Sequence, residues 1–327
     1  MMRRLVVILL LASLCLLGQE AALLVLHKGG SSLGFYSLQG KLLTTVPVGK
    51  HPHEMILSPD GPTLYITDNG TMRIEEAGAG GNTVSIIDVR AREKVGEIAL
   101  GKYHRPHGID LDPKRGLLAV STENPDALLT VDPAKRAVVK VYDAKGKTSH
   151  MVRFGPGAKH AFVCNSTSND VAAVALATGV VKTIPIGERP EGSVLAKDGR
   201  ELYVCSREGH KIYVIDTAKQ AVVGEIATGR GPVRIGITPD GKRLVYALYH
   251  DETVEIADPA ARKVLRRVKL TGRLVSLGIS PDGQRAYASA EELDTVHVIS
   301  IPDGKLLHSF KTPAGYRPDP VLEIPAR

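Results

Sequence analysis

A strand, a tight turn and a second strand recur along this chain, at intervals of 41 to 43 residues except for the first, which is 54. The first copy, HPHEMILSPDGPTLYITDNG, spans residues 51–70 and predicts strands at Glu54–Ser58 and Thr63–Asp68 around a Pro-Asp-Gly turn. Pro presets φ, Asp bonds its own backbone and Gly accepts positive φ, so this tripeptide favours a turn. Further copies occupy residues 109–121, 152–164, 193–205, 235–247 and 277–289. Self-similarity at this period predicts a repeat architecture.

Two more strand-like runs follow each copy. Lys211–Asp216 and Ala221–Ile226 follow the copy at 193–205, and Thr253–Ala257 and Val264–Leu270 follow the next. Val and Ile alternate with polar residues in these runs, which is typical of half-buried antiparallel strands. Four short strands per repeat match one blade of a β-propeller.

The repeat resembles that of the YVTN-type β-propellers. The motifs that carry this resemblance are TLYITDN (63–69), ELYVCS (201–206), KIYVIDTAKQAVVGEIATG (211–229) and GITPDGKRL (236–244). The resemblance extends from about Ala22 to Pro325 and implies a seven-bladed, quinoprotein- or lactonase-like propeller. The chain has no Trp, which excludes a WD-type repeat. The residue motifs of those families do not map securely onto this sequence, so none of their site residues is carried over.

The two ends of the repeat region complete the blade count. Ala22–His27, Gly34–Leu38 and Lys41–Gly49 match the second, third and fourth strands of a blade, and Arg317–Pro325 matches a first strand. Pairing them closes the ring and removes exposed sheet edges. We therefore predict an all-β, seven-bladed propeller of four-stranded blades, forming one domain over residues 22–327.

The first 18 residues have the pattern of a secretory signal. Arg3 and Arg4 precede the apolar run Leu5–Leu17, which is short for a transmembrane helix. Cleavage is expected between residues 18 and 21, giving a periplasmic or secreted protein without a transmembrane segment. Losing Arg3 and Arg4 changes the net charge from +7 to +5. An uncleaved anchor, or a lipid anchor at Cys15, is the alternative.

One position of the repeat is rich in histidine. Six residues before each turn proline, or its equivalent, stand His53, His107, His150, Glu191, Val233, Val275 and Asp319. The first strand of a blade is the innermost, so these residues should meet at the mouth of the central channel. Converging imidazoles and carboxylates suit Cu, Zn or Fe. His53, His107 and His150 are therefore the candidate metal ligands; the alternative is that they pack against neighbouring blades.

Arginine recurs two places earlier in the same alignment. Arg105, Arg189, Arg273 and Arg317 occupy four of these seven positions. Guanidinium groups bind carboxylate and phosphate in a bidentate manner. With Glu191 and Asp319, they form the candidate ligand-binding set for a small anionic molecule. The alternative is that the Arg-Pro pairs place solvated charge at a turn.

Three other features bear on function. The glycine-rich insertion Thr71–Asn82 should lie on the channel-mouth face, as a lid or as a flexible loop. Cys164 and Cys205 occupy equivalent positions of neighbouring blades and are expected to be buried and unbridged. The basic segment 262–273 is either a solvated outer edge or a patch for nucleic acid, although it lacks aromatic residues for base stacking.

The sequence contains no nucleophile elbow, phosphate-binding loop, zincin helix or CxxCH haem motif. The favoured hypothesis is an exported binding or scaffold protein whose channel mouth holds a small anion, a metal or a protein partner. The first alternative is a metal-dependent enzyme at the same site, either a lactonase-like hydrolase or lyase or an oxidoreductase. The second is nucleic-acid binding through the basic edge.

Overall fold

The computed structural model describes residues 22–325, which form seven four-stranded antiparallel sheets. The predicted signal segment lies outside the described residues. In chain order the strands are β1 (Leu23–His27), β2 (Ser32–Tyr36), β3 (Leu42–Pro47); β4 (Pro52–Leu57), β5 (Thr63–Asp68), β6 (Thr83–Asp88), β7 (Glu93–Ala99); β8 (His104–Asp112), β9 (Leu117–Asn124), β10 (Asp126–Asp132), β11 (Ala137–Tyr142); β12 (Ser149–Phe154), β13 (His160–Asn165), β14 (Asp170–Ala175), β15 (Val181–Pro185); β16 (Pro190–Leu195), β17 (Glu201–Ser206), β18 (Lys211–Asp216), β19 (Ala221–Ala227); β20 (Pro232–Ile237), β21 (Leu244–Leu248), β22 (Thr253–Asp258), β23 (Lys263–Lys269); β24 (Leu274–Ile279), β25 (Arg285–Ala290), β26 (Thr295–Ser300), β27 (Lys305–Lys311); and β28 (Pro318–Glu323). Two 3₁₀ turns, Pro156–Ala158 and Glu291–Leu293, interrupt the strands.

Six blades are continuous in sequence and the seventh joins the two ends. Blades 1 to 6 begin at β4, β8, β12, β16, β20 and β24, and the closing blade has the order β28-β1-β2-β3. In the closing blade β28 pairs antiparallel with β1, with Val321 opposite Val25. The first strands of adjacent blades contact one another all the way round the ring. The predicted seven-bladed propeller and its mode of closure are confirmed.

The turn between the first two strands adopts the conformation that its tripeptide favours. Gly61, Gly241 and Gly283 have φ values of 86°, 77° and 70°, a region that residues with a Cβ rarely occupy. The carboxylate of Asp240 accepts hydrogen bonds from the Thr238 hydroxyl and the Lys242 amide. Glycine and aspartate therefore fix the hairpin locally, before any contact with another blade.

The hydrophobic core is divided among the blade interfaces. Seven clusters of buried aliphatic and aromatic side chains lie one at each junction between neighbouring blades. Between blades 1 and 2, for example, Val84 and Ile98 pack with Leu118 and Leu129. Full burial of one such side chain contributes roughly 1.5–3 kcal/mol. Each blade is therefore held mainly by its two neighbours, which gives the channel walls a rigid frame.

The innermost strands start earlier than the alternating pattern predicts. In blade 1 the predicted strand Glu54–Ser58 begins at Pro52, and its pairing with β5 shifts register between Pro52 and Met55. Similar shifts interrupt the first strands of the other blades. An irregularity of this kind breaks the alternation of buried and exposed residues, so the sequence pattern hides the start of the strand.

The basic segment 262–273 forms ion pairs on the surface, and the two cysteines are buried. On the edge strand β23 and just before it, Arg267 lies 2.6 Å from Glu255 and Arg262 lies 3.4 Å from Glu201. Cys164 and Cys205 are both buried and free, as predicted. Within residues 22–325 we find no helix of the length and hydrophobicity needed to cross a lipid bilayer.

Candidate functional site

All seven aligned positions of the first strands line one cavity at the channel mouth. Its volume is about 530 Å³. The seven side chains on its wall are His53, His107, His150, Glu191, Val233, Val275 and Asp319. The equal spacing from each turn thus places one residue of every blade at the same level of the channel.

Hydroxyl groups of the second strands fix the backbone at this level. The hydroxyl of Thr67 in blade 1 donates to the His107 carbonyl of blade 2 at 2.8 Å. Ser121 in blade 2 donates to the His150 carbonyl of blade 3. Each bond connects a blade to the histidine of the next blade. The imidazoles are therefore positioned by contacts between blades, and not by one hairpin alone.

The three histidines form a continuous stack. The ring centroid of His107 lies 3.8 Å from that of His53 and 3.7 Å from that of His150, while the two outer rings are 6.4 Å apart. His107 and His150 are almost completely buried. The structure therefore brings together the three histidines that the sequence selected as metal ligands.

His107 has the arrangement found in many metal-binding histidines. Its Nδ1 lies 2.6 Å from Oε1 of the buried Glu123, so Nδ1 carries the proton that this hydrogen bond needs. The other nitrogen, Nε2, is buried without a hydrogen-bond partner in the described structure, and it holds a lone pair whenever the ring is neutral. A carboxylate that orients an imidazole in this way is the usual second contact of a metal-ligating histidine.

His53 and His150 stay neutral in this environment. Burial lowers the pKa of both imidazoles well below the usual value, and the neighbouring His107 and the cationic Lys28 and Arg234 lower the pKa further. Nδ1 of His53 and Nδ1 of His150 lack a hydrogen-bond partner among the described residues. A neutral imidazole keeps one lone pair, which metal coordination requires; in His53 it is on Nε2, which accepts from Lys28 Nζ at 3.0 Å.

The carboxylate of Asp319 faces the histidine stack. Its Oδ2 lies 3.5 Å from Nδ1 of His53 and 3.5 Å from Nζ of Lys28. Burial raises the pKa of Asp319 to about 7, and the nearby acids Glu54 and Glu291 act in the same direction against Lys28 and Arg234. Neither carboxylate oxygen accepts a hydrogen bond within residues 22–325. Asp319 is thus an acid with its hydrogen-bonding capacity unused.

Two of the four predicted arginines line the cavity, each beside a carboxylate. Nε of Arg189 lies 2.9 Å from Glu191 Oε1, and Nη2 of Arg273 lies 2.7 Å from Glu292 Oε1. Glu191 itself is buried. These two arginines and Glu191 are therefore placed at the cavity, as the alignment predicts.

The other two arginines point elsewhere. The guanidinium of Arg105 donates to the main-chain carbonyls of Ile74, Glu76 and Gly78 in the insertion. Arg317 is 40% exposed and lies 3.5 Å from Glu291. Neither belongs to the wall of the cavity. Arg105 stabilises the loop beside the mouth, a role that its spacing did not predict.

The insertion lies at the channel mouth, as expected. Four of its residues, from Met72 to Glu75, contribute to the cavity wall. Glu75 of this blade 1 loop approaches Arg189 of blade 4, with 3.7 Å between Oε1 and Nη2. The loop therefore extends over the cavity from one blade toward another.

A second ring of side chains was missed by the sequence reasoning. The residues that stand ten places after each turn proline, or its equivalent, and the corresponding residue of the closing blade, are Asn69, Glu123, Ser166, Arg207, Tyr249, Glu291 and Lys28. Four of these line the cavity, and Glu123 bonds His107. The sequence could have revealed them, because they stand at a fixed distance after the turn, near the end of each second strand.

The potential metal ligands are concentrated on one side of the cavity. His53, Glu54 and His107 each offer a ligand atom, and these atoms lie within 4.8 Å of one another. His150 stacks on His107 from the other side. This wall can supply imidazole nitrogen and carboxylate oxygen to one ion, while the facing wall of blades 4 to 6 carries the arginines.

Comparison with known sequences supports the fold. The family model of the YNCE-like beta-propellers matches residues 134–232. Among curated protein sequences, none matches this chain.

Three solved structures share the architecture at low sequence identity. Hydrazine synthase of Kuenenia stuttgartiensis is 20% identical, with a TM-score of 0.65 and 76% of each chain covered. A functionally unknown protein from Desulfotomaculum acetoxidans is 14% identical, with a TM-score of 0.78 over 92% of this chain and 98% of the other. The dihydro-heme d1 dehydrogenase NirN, in complex with DHE, is 16% identical, with a TM-score of 0.64 over 90% of this chain and 64% of NirN.

These similarities describe the fold and leave the ligand open. The chain is a seven-bladed β-propeller, and residues 134–232 are similar to the YNCE-like beta-propellers.

Proposed function

We propose that this protein is an exported binding protein that holds a transition-metal ion at its channel mouth. The ligands would be His53, His107 and His150, with Glu54 as the carboxylate whose oxygen lies within 4.8 Å of ligand atoms of His53 and His107. The observation that carries the proposal is the state of His107: Nδ1 is bonded to Glu123 while the buried Nε2 has no partner in the described chain. Leaving such a nitrogen unpartnered costs roughly 1–3 kcal/mol, which a bound ion would recover.

The chemistry of the wall favours a borderline metal over a hard cation. Ca²⁺ and Mg²⁺ take oxygen ligands, whereas imidazole suits Zn, Cu and Fe. Nitrogen predominates here, and the imidazoles of His53 and His150 are held neutral by burial. We therefore expect zinc, copper or iron.

The charges around the stack are consistent with an ion of this kind. Lys28 lies 3.0 Å from Nε2 of His53 and 3.5 Å from Asp319, so a cation already balances the carboxylate. An incoming metal ion would compete with Lys28 for Asp319. Binding would then release a proton or move the ammonium group, and metal affinity should rise with pH.

Export rests on the Arg3-Arg4 pair and the apolar run Leu5–Leu17.

The cavity opens to solvent beside the insertion, so a bound ion would be accessible to small molecules. An accessible ion could act as a Lewis acid or redox centre. A metal-dependent enzyme is therefore the second candidate function, and the cavity of about 530 Å³ that the histidines line is the observation that favours it.

The basic edge gives less support for nucleic-acid binding. Arg262, Arg267 and Lys269 each lie within 4.0 Å of an acidic side chain. Their charge is partly neutralised on the protein surface, which reduces the counterion release that drives such binding.

The test is elemental analysis of the full chain, purified without chelator and without a histidine tag. The variant that replaces His53, His107 and His150 together by Gln removes the imidazoles but keeps side chains of similar length. His297→Gln is the matched control, because His297 is buried outside the cavity and bonds Ser309 and the Thr271 carbonyl. Circular dichroism and thermal melting establish that each variant is folded.

Near-stoichiometric metal in the wild type and in His297→Gln, with loss in the folded triple variant, is the expected result. Absence of metal from the wild type, even after incubation with Zn²⁺, Cu²⁺ and Fe²⁺, would refute the proposal. Equal metal content in the triple variant would also refute it, because the ion would then bind elsewhere.

A further inference from the structure

The wall opposite the histidines carries more guanidinium groups than carboxylates. Oε1 of Glu191 lies 2.9 Å from Nε of Arg189 and 3.1 Å from Nη1 of Arg207, and Oε2 lies 3.9 Å from Nη1 of Arg234. Arg234 has a second partner, Glu54, at 3.0 Å. Glu191 is thus shared by three arginines, whose other acidic neighbours are Glu54, Glu75 and Glu208. The cavity wall from blades 4 to 6 holds four guanidinium groups and three carboxylates: Arg189, Arg207, Arg234 and Arg273 with Glu191, Glu291 and Glu292.

Arg207 has hydrogen-bonding capacity that the protein does not use. Its side chain is 15% exposed. Its Nε is buried and makes no hydrogen bond within residues 22–325, although Glu208 Oε1 lies 3.2 Å away in an unsuitable direction. An arginine offers five N–H donors in a rigid fork. The guanidinium lies on the cavity wall with part of its surface exposed, so an external acceptor can reach it there, although not at the buried Nε.

The ring of Tyr249 holds the guanidinium groups of Arg207 and Arg273 in place. The Cζ atom of Arg207 lies 4.1 Å from the ring centroid of Tyr249, and that of Arg273 lies 5.6 Å from it. Nη1 of Arg273 also lies 3.3 Å from the Tyr249 hydroxyl. Cation–π contacts of this kind restrict the guanidinium planes before a ligand arrives, so less conformational entropy is lost on binding.

The cavity is too large for a metal ion alone. A volume of about 530 Å³ falls in the range of about 300–1,000 Å³ that small-molecule sites occupy. Its polar groups are divided by type: imidazoles come from blades 1 to 3, and guanidiniums mainly from blades 4 to 6. A ligand that fills the space would contact both walls.

We propose that the cavity binds a small organic molecule that carries an oxyanion, either a carboxylate or a phosphate. The oxyanion would be held by Arg207 and Arg189, with the rest of the molecule directed toward the histidine wall. This inference deepens the proposed function. It rests on that function only in treating the opposite, histidine-bearing wall as the metal site.

The experiment is isothermal titration calorimetry of the full chain with inorganic phosphate and with succinate, at constant ionic strength set with NaCl. Arg207→Gln removes the charge and the fork, whereas Arg207→Lys keeps the charge alone. Arg266→Gln is the matched control, since Arg266 is exposed on β23 and donates only to the carbonyl of Leu265. If Arg207→Gln is not folded, Arg189→Gln replaces it.

Binding of at least one of the two anions, weakened at least tenfold in Arg207→Gln and unchanged in Arg266→Gln, is the expected result. Arg207→Lys should bind with intermediate affinity. The anion that binds identifies whether the site prefers carboxylate or phosphate. No heat of binding with either anion, or equal affinity in Arg207→Gln, would overturn the inference.

The same titration in the folded triple histidine variant separates the two proposals. Anion binding that persists there supports the arginine site even if no metal is ever found. Binding that vanishes in that variant would overturn the arginine site, because the anion would then be bound through the metal. Metal without anion binding would leave only the proposed function standing.

Discussion

Folding buries one histidine that does not line the candidate site, His27, and this should make stability depend on pH. In the closing blade, Nδ1 of His27 lies 3.0 Å from the Ser32 hydroxyl and Nε2 lies 2.8 Å from the Tyr36 hydroxyl. The ring of Tyr316 packs 5.0 Å away, centroid to centroid. Burial lowers the pKa of His27 from 6.5 to about 4, and Asp294 opposes this only partly.

The sign follows from proton uptake. Between pH 6.5 and 4 the unfolded chain binds a proton at His27 that the folded chain does not, so the free energy of unfolding rises with pH. The contribution is complete above pH 6.5 and is lost as the pH falls toward 4. From pH 7 to pH 4.5 these two pKa values correspond to a loss of about 2 kcal/mol.

The assay is urea unfolding at pH 7.0 and at pH 4.5, followed by circular dichroism, for the wild type and for His27→Gln. Gln does not titrate but can still bond Ser32 and Tyr36. The wild type should lose about 2 kcal/mol more stability than the variant between the two pH values, since all other groups contribute equally to both. An identical loss in the two proteins would refute the argument that burial suppresses protonation of His27.

Three further predictions concern the blade junctions. A Cβ added at Gly108 would lie 2.6 Å from the His150 carbonyl oxygen, so Gly108→Ala should separate β8 from β12. Urea unfolding should then show a free energy of unfolding lower by about 1–3 kcal/mol, and elemental analysis should show a lower metal content. The hydroxyls of Ser276 and Ser289 both donate to the Asp319 carbonyl, so the double change to Ala should lower the unfolding free energy by about 2 kcal/mol. Burial raises the pKa of the Cys164 thiol to about 12, and that of Cys205 well above its usual value, so neither should react with a thiol reagent at pH 8 until the protein unfolds.

Controls make these outcomes decisive. Gly116→Ala introduces a methyl group with no atom within 4 Å, at φ 65°, and should leave metal content unchanged. Unaltered stability in Gly108→Ala would mean that the two strands can separate at no cost. Full stability of the double serine variant would show that these hydroxyls do not contribute to closure. Rapid labelling of the folded protein would mean that the thiols are accessible.

The parts of the structure that local chemistry determines could be predicted from the sequence. Proline, aspartate and glycine define the turn in blades 1, 5 and 6, and counting back six residues from this turn or its equivalent reaches the channel in every blade. This fixed spacing predicted that His53, His107 and His150 share one wall, because each blade repeats the same backbone conformation. The stacking of the rings at 3.7–3.8 Å follows from how closely the first strands approach, which no single repeat reveals.

The parts that depend on side-chain direction could not be predicted. Arg105, Arg189 and Arg317 stand at equivalent positions with φ values of 53°, 57° and 50°, yet only Arg189 lines the cavity. The partners of each side chain decide its direction, the insertion carbonyls for Arg105 and Glu291 for Arg317, and alternation along a strand does not anticipate them. Arg207 and Lys28 enter the cavity from the ends of second strands, where the length of the side chain decides what it can reach.

Closure of the ring also has a consequence for when the site comes into existence. Asp319 is contributed by the last strand and Lys28 follows the first, while the histidines belong to blades between them. The two walls therefore become complete only after the ends have met, when the last part of the repeat region pairs with the first. A chain that ends before β28 would carry all three histidines but lack Asp319 and the strand that completes the closing blade. Ligand binding would thus report on completed folding, and a partly folded chain would not compete for the ligand.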